Sequence, residues 1–401
     1  MPRQGLSILS KTERTVLTIT GLSHLAVHAQ MLVFPALLPL FHKQFGLGFD
    51  TLGLMATAGA FMFGLGAIPA GLLESRLGGR KLLVIYQVGS GFAALIIVTA
   101  QTIFQITVGL AVLGAMSSIY HPAGLTILSH RLKHLSKGMS IHGIAGSIGL
   151  AVGPLLAGIF AEFGDWKFAF GIWMVWQFFL SGATILLIPN RSRSSDSENV
   201  TSPNKTDIYS LALYYIISIC MGFAFGGFTT YMPSLFASQT GSVFEYIPET
   251  LRGGFFTTLV FIGGIVGQTI GGVLGDKYNR AALLFFIVLI NIPFFALMGY
   301  ASGLFLIIVS LMLGIAHFSP QPISNALLAE LTSIRQRGLG YGISFFLSFG
   351  IGGGIAPAVC GWIAEHYTIS AIFPFMAISL LPAVISGPLL IKRFHHSSWN
   401  R

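Results

Sequence analysis

The sequence predicts an all-α polytopic membrane protein, twelve transmembrane helices arranged as two parallel six-helix repeats, and three observations carry that reading. Hydrophobic residues make up 54% of the 401-residue chain and charged residues only 9%, where a soluble domain carries about 25% charged residues. The apolar residues form bilayer-length runs, and 82–99 and 281–301 contain no charge at all. The chain also matches itself half its length away. Val112-Leu113-Gly114 and His121-Pro122 read against Met312-Leu313-Gly314 and Gln321-Pro322, and Lys137-Gly138 against Arg337-Gly338. Gly71 and Ser75-Arg76 read against Gly272 and Asp276-Lys277, one residue further on. In so apolar a chain, a repeat of this period points to a transporter built from two copies of one bundle.

Each span is bounded by charge or by a polar turn. Helix 1 (15–41) follows Arg14 and ends at His42, and helix 2 (50–74) runs from Asp50 to Glu74. Helix 3 (82–100) starts after Arg80-Lys81, and helix 4 (102–129) stops before His130-Arg131. Helix 5 (138–162) lies between Lys137 and Glu162, and helix 6 (166–189) begins after Asp165. Residues 190–207 have no apolar face and read as a linker. Helix 7 (208–236) follows Asp207, helix 8 (253–275) lies between Arg252 and Asp276, and helix 9 (281–301) follows Arg280. Helix 10 (302–330) ends at Glu330, helix 11 (338–364) runs from Arg337 to Glu365, and helix 12 (369–391) ends at Lys392. The expected organisation is a bundle over 1–189, a cytoplasmic linker over 190–207 and a second bundle over 208–401.

The two cysteines, Cys220 and Cys360, each lie inside an apolar run, which excludes a disulfide framework. Residues 1–14 have no apolar core, so no signal peptide is expected and helix 1 serves as its own insertion signal. The termini and the loops after helices 2, 4, 6, 8 and 10 hold nineteen of the 22 Lys and Arg residues. The opposite face holds only Lys43, Lys167 and Arg252. The basic balance therefore reports topology and not a nucleic-acid partner. It places both termini in the cytoplasm of a multi-pass plasma-membrane protein, a bacterial inner membrane being the expected one. The sequons at Asn190, Asn199 and Asn204 then fall in the cytoplasmic linker and read as chance matches. Six helices per half start both halves on the same side, so the repeat is parallel and its interface is the natural place for a central site.

At this point the residues resemble the major facilitator superfamily over nearly the whole chain. Gly71-Leu-Leu-Glu-Ser-Arg-Leu-Gly-Gly-Arg80 is similar to that family's loop motif between helices 2 and 3, and Gly272-Val-Leu-Gly-Asp-Lys-Tyr-Asn-Arg280 to its second copy. The resemblance implies a conformational latch in which the motif Asp faces the positive end of a neighbouring helix. Asp276 keeps that carboxylate, with Arg280 after it. Ser75 stands in its place in the first copy, beside Arg76 and Arg80. Gly149, Gly153-Pro154 and Gly158 in helix 5 are similar to the signature of antiporter members, and small residues there permit close helix approach. Within the superfamily the closest similarity is to fosmidomycin-resistance-type and drug-efflux members. It rests on His24-Leu25, Ala36-Leu-Leu-Pro39, the 114–122 segment with His121-Pro122, and the helix-5 glycines. Two carboxylates of that pattern are replaced, by His28 in helix 1 and by Ala123 after His-Pro.

An ionisable side chain inside the bilayer is costly and marks function. All thirteen Asp and Glu fall in loops or at helix ends, and no Lys or Arg sits mid-span. The histidines fill the gap. His24 lies ten residues past Arg14, roughly 15 Å deep at 1.5 Å per residue, and His28 is one turn further on the same face. His121 lies at a similar depth and His317 midway along helix 10. The resemblance implies a cavity lined by helices 1, 4, 7 and 10. The repeat pairs Ser117 with His317 and His121 with Gln321. With Gln30, Thr229, Tyr231 and Asn325, these are the candidate substrate and proton residues. Imidazole titrates near pH ~6.5, so the first half is expected to carry the proton and the second half the stronger latch. His142, beside the Gly146/Gly149/Gly153 stripe, reads as a packing or gating residue.

These observations lead to a secondary transporter, not an enzyme, which rocks two halves around a midplane site without cofactor or nucleotide. Proton-coupled efflux of a small organic compound by a monomer is the expected version. Alternatives stay open: transport of a metal ion or chelate through His24, His28, His121 and His317, metabolite uptake by symport, and a sensor or scaffold that kept the fold. No Cys or carboxylate completes a metal site, and none is assigned. The run Gly350–Pro357 lacks the Lys and Ser/Thr of a nucleotide loop and reads as close helix packing.

Overall fold

The computed structural model describes residues 9–132, 135–189, 206–333 and 336–399, and most of the linker, with its three sequons, lies outside them. Among the described residues, twelve helices are long and apolar enough to cross a membrane. They are helices 1 (Lys11–Phe45), 2 (Phe49–Glu74), 3 (Gly79–Thr99), 4 (Ile103–Arg131), 5 (Gly138–Phe163) and 6 (Trp166–Leu187) in the first half. The second half holds helices 7 (Ile208–Gln239), 8 (Glu249–Lys277), 9 (Arg280–Met298), 10 (Gly303–Leu331), 11 (Gly338–His366) and 12 (Ile369–Arg393). All twelve expected spans are present, nine of them longer than the apolar pattern suggests and helices 6 and 9 shorter. Ser10 and Glu13 form a capping box before helix 1, and Asp165 and Asp207 cap helices 6 and 7.

The spans are not straight, and proline explains the breaks. Helix 1 breaks at Leu32, ahead of Pro35, and helix 2 at Gly66, ahead of Pro69. Helix 4 breaks at Ser118–Ile119, ahead of Pro122, and helix 10 at Ser319, ahead of Pro320 and Pro322. Proline offers no N–H to the carbonyl four residues back and opens the helix there. The repeat shows in the serines at the last two breaks. Ser118 Oγ donates to the Ala115 carbonyl at 2.6 Å, and Ser319 Oγ donates to the Ala316 carbonyl at 2.7 Å.

The halves meet along two seams. In the first, helix 2 lies on helix 11. A Cβ on Gly53 would stand 2.3 Å from the Pro357 carbonyl oxygen, and one on Gly64 2.1 Å from the Gly350 nitrogen. Helix 11 winds as a π-helix over Phe346–Gly352, where it also presses on helix 7 through Gly222 and Gly352. The glycines of 350–357 thus serve backbone contact. In the second seam, helix 5 lies on helix 8, with Gly254 against the Pro154 carbonyl and Gly158 against Leu251.

Hydrogen bonds reinforce the seams toward the side opposite the termini. Phe49 N donates to Glu365 at 2.6 Å, Ala358 N to Thr57 Oγ1 at 3.0 Å, and Thr258 Oγ1 to the Ala151 carbonyl at 2.7 Å. Lys43 and Glu249 form an exposed ion pair at 3.5 Å. A cleft of about 570 Å³ lies just outside this closure, lined by Lys43, Glu162, Glu245 and Glu249 among others. On the termini side, Gln321 and Asn325 are exposed.

Candidate functional site

Helices 1, 4 and 5 bring four histidines together inside the first bundle. His24 and His28, one turn apart, place their Nε2 atoms 3.1 Å from each other. The ring of His121 lies 5.4 Å from that of His24 and 5.6 Å from that of His28. His142, read from sequence as packing, stacks on His24 at 4.2 Å and 11°. Its main-chain carbonyl accepts a hydrogen bond from His24 Nδ1 at 2.8 Å. That bond fixes the tautomer of His24 and leaves its Nε2 to receive the Nε2–H of His28. A Cβ on Gly146 would lie 2.4 Å from the His24 ring, so the glycine provides the seat for that ring. Gly149 and Gly153 continue the stripe against the Leu25 and Ala29 carbonyls. The helix-5 motif therefore holds helix 1 with one face, and with Pro154 and Gly158 it meets helix 8.

Beneath the histidines lies a buried polar network. Tyr120 donates to the Thr20 carbonyl at 2.6 Å, and its hydroxyl lies 3.3 Å from His142 Nε2. Gln177 Nε2 donates to Tyr86 Oη at 2.7 Å and to Gln30 Oε1 at 3.0 Å, and Gln30 Nε2 donates to Ser117 Oγ at 2.9 Å. Gln30 and Ser117, expected to face a cavity, are instead spent inside their own bundle. Paired buried amides and hydroxyls rigidify the elements they join, so this network fixes helices 1, 3, 4 and 6 around the histidines.

His317 occupies the corresponding interior of the second bundle, away from the other histidines. Its Nδ1 lies 2.8 Å from Asn291 Oδ1, and Asn291 Nδ2 donates to the Ile287 carbonyl at 2.7 Å. Its ring is caged by Phe225, Phe228, Phe295 and Phe318. The repeat pairs therefore divide. Ser117 and His317 turn into their own bundles, whereas His121 and Gln321 reach the seam. His121 meets Phe345 of helix 11 at 5.4 Å, and Phe63 of helix 2 lies beside both. Gln321 Oε1 accepts from Gln268 Nε2 at 3.0 Å, and Gln268 Oε1 accepts from Ser147 Oγ across the seam at 3.2 Å. Phe345, Phe349 and Phe225 form a ring chain from His121 to His317, with steps of 4.7 and 5.8 Å in its interior.

The other candidates have structural partners. Thr229 bonds the Phe225 carbonyl in its own helix. Tyr231 is fully buried and donates to the Pro357 carbonyl at 2.8 Å, which makes it part of the closure and not of a cavity wall. Asn325 is exposed, and its carbonyl accepts from Tyr341. The loop motifs differ between copies. Arg280 pairs with Glu330 and lies 3.8 Å from Asp276. Arg80 instead donates to the Ile185 carbonyl at 2.7 Å, an oxygen at the negative end of helix 6. Arg76 is exposed, and Gly71 and Gly272 border open space.

The Major Facilitator Superfamily model matches residues 20–251 and 241–401. The chain belongs to the major facilitator superfamily. It is 24% identical to the fosmidomycin resistance protein of Escherichia coli (strain K12), over 94% of this chain and 93% of that one. It is 22% identical to the probable sulfoacetate transporter SauU of Cupriavidus necator, over 95% of each. It is 24% identical to the multidrug resistance protein MdtG of Proteus mirabilis, over 85% of this chain and 87% of that one. Among solved structures, a bacterial homologue of the human lysosomal transporter Spinster, inward-facing and occupied, superposes with a TM-score of 0.75 at 14% identity. That match covers 96% of this chain and 97% of the other. The nucleoside transporter NupG gives 0.75 at 13% identity, covering 95% and 100%. Fold and relatives are those of membrane transporters, not of enzymes.

Proposed function

We propose that this superfamily member is a secondary active transporter that exports a small organic compound in exchange for protons, by alternating access. One observation carries the reading. His121 and Gln321, the repeat-related pair, meet the seam between the halves where its far side is hydrogen-bonded shut and its termini side exposes Gln321 and Asn325. With the termini in the cytoplasm of a bacterial inner membrane, as the charge bias supports, this state is open inward. The halves 1–189 and 208–401 act as the moving bodies, and a single chain contains both. Imidazoles are the mid-span groups whose ordinary titration lies near neutral pH, and they supply the proton step. Two relatives named for drug resistance support export.

The test begins with a thermal-shift screen of metabolites and drugs, because a ligand of the folded state raises apparent stability. Hits are then assayed for flux in proteoliposomes. The proposal expects flux that follows an imposed pH gradient and falls in His121→Ala. Flux indifferent to both the gradient and the substitution rules out proton coupling at these residues.

A further inference from the structure

We propose that His24, His28 and His121 form a binding site for a borderline transition-metal cation of the Zn²⁺ or Co²⁺ class. Metal and proton compete for the lone pairs of the same three rings, so binding is read by spectroscopy at alkaline pH and not by flux. One ring nitrogen from each residue can be chosen so that all three lie within 4.8 Å of one another. A metal about 2.0–2.1 Å from each imidazole nitrogen in tetrahedral geometry places those nitrogens about 3.4 Å apart. The 3.1 Å between the Nε2 atoms of His24 and His28 is already near that value. His121 has to close by no more than about 1.4 Å (4.8 Å less that spacing). A side-chain rotation covers such a distance, and among the described residues no hydrogen bond holds the His121 ring.

The surroundings are built for ligation. His24 and His28 stand four residues apart on one helix face, the spacing that presents two imidazoles to one ion. His24 donates Nδ1–H to the His142 carbonyl at 2.8 Å. This outer hydrogen bond orients a ligating histidine and frees its Nε2. The stacked ring of His142 and the missing side chain at Gly146 hold His24 in that pose. Besides the rotation of His121, binding needs a tautomer change at His28, whose Nε2 then faces the metal while Nδ1 carries the hydrogen. Phe63 and Phe345 border His121, so the seam is the side from which water or a donor atom of a bound compound would complete the shell.

The experiment is a Co²⁺ titration of the untagged, full-length protein in detergent at one fixed alkaline pH. We expect the visible bands of four-coordinate Co²⁺, bleached by one equivalent of Zn²⁺. His28→Ala and His121→Ala should each weaken the affinity by about tenfold or more, and His42→Ala and His366→Ala at the span ends should leave it unchanged. Should the first two variants fail to fold, the wild-type protein still decides the question. Zn²⁺ but not Mg²⁺ must raise its melting temperature, and X-ray absorption at the Zn edge must count three imidazoles. Absent bands in the wild type, bands retained in both variants, or fewer than three imidazoles on Zn²⁺ would overturn the site.

Discussion

Gly53→Ala tests whether the far-side closure is one of two states in balance. The added Cβ would stand 2.3 Å from the Pro357 carbonyl oxygen and 2.7 Å from Tyr231 Oη. Ordinary contact starts at 3.4 Å, so helices 2 and 11 must part by about 1.1 Å (3.4 − 2.3) at this point. The nearest atom is the Pro357 backbone carbonyl, so moving the Tyr231 side chain alone does not relieve the contact. A gap of ~0.5–1 Å forfeits a quarter to a half of each dispersion contact, and overpacking of this kind costs about 1–3 kcal/mol. The penalty falls on the closed state and vanishes where the seam is open, which shifts the equilibrium about 5- to 150-fold. Spin labels at Gln44 and Glu245, which line the far-side cleft from opposite halves, report the change by electron–electron double resonance. We expect the wild type to give mainly the short separation and Gly53→Ala to populate a longer one. An unchanged distance distribution in a folded Gly53→Ala protein refutes the reasoning, because the seam then yields without opening.

Two further substitutions probe the site. Gly146→Ala drives a Cβ to 2.4 Å from the His24 ring and should break its stack with His142; we expect gradient-driven flux to fall by about tenfold with a thermal cost of about 1–3 kcal/mol, whereas Gly143→Ala, which borders open space, should leave both unchanged. Gln177→Leu removes the donor shared by Tyr86 Oη and Gln30 Oε1 and should cost about 1–3 kcal/mol in a thermal melt for the acceptors left buried; a loss within experimental error means that water replaces the amide.

The spans, the repeat and the charge asymmetry were legible because hydropathy and Lys/Arg placement are properties of single positions along the chain. His24 and His28 were legible as a pair because i, i+4 spacing fixes a shared helix face. Their meeting with His121 was not, since it depends on how helix 4 turns after its break at Ser118–Ile119. The reading that Ser117 and His317 face a common cavity failed for a related reason. Periodicity gives a face and not its neighbour, and both residues found partners within their own bundles. Asn291, Gln177 and Tyr86 escaped the sequence reading because its polar candidates came from helices 1, 4, 7 and 10, whereas these three lie on helices 9, 6 and 3. An uncharged amide mid-span also requires a partner in hydrocarbon, and that signal would have found Asn291 within the charge-free run 281–301. Tyr231 looked like a cavity residue because an aromatic hydroxyl on a central helix suits a ligand equally well. Its bond to the Pro357 carbonyl is a tertiary fact.

Alternating access itself is tested most directly by side-specific labelling of Asn325→Cys, with Cys220 and Cys360 replaced by serine, in vesicles of both orientations. Asn325 is exposed and on the termini side of the closure. The account predicts that a membrane-impermeant maleimide reaches it from the cytoplasmic face and not from the other, and that adding Gly53→Ala makes it reactive from the far side as well, more slowly. Reaction from both faces at equal rates in the unaltered seam would describe an open pore, and it would contradict the account.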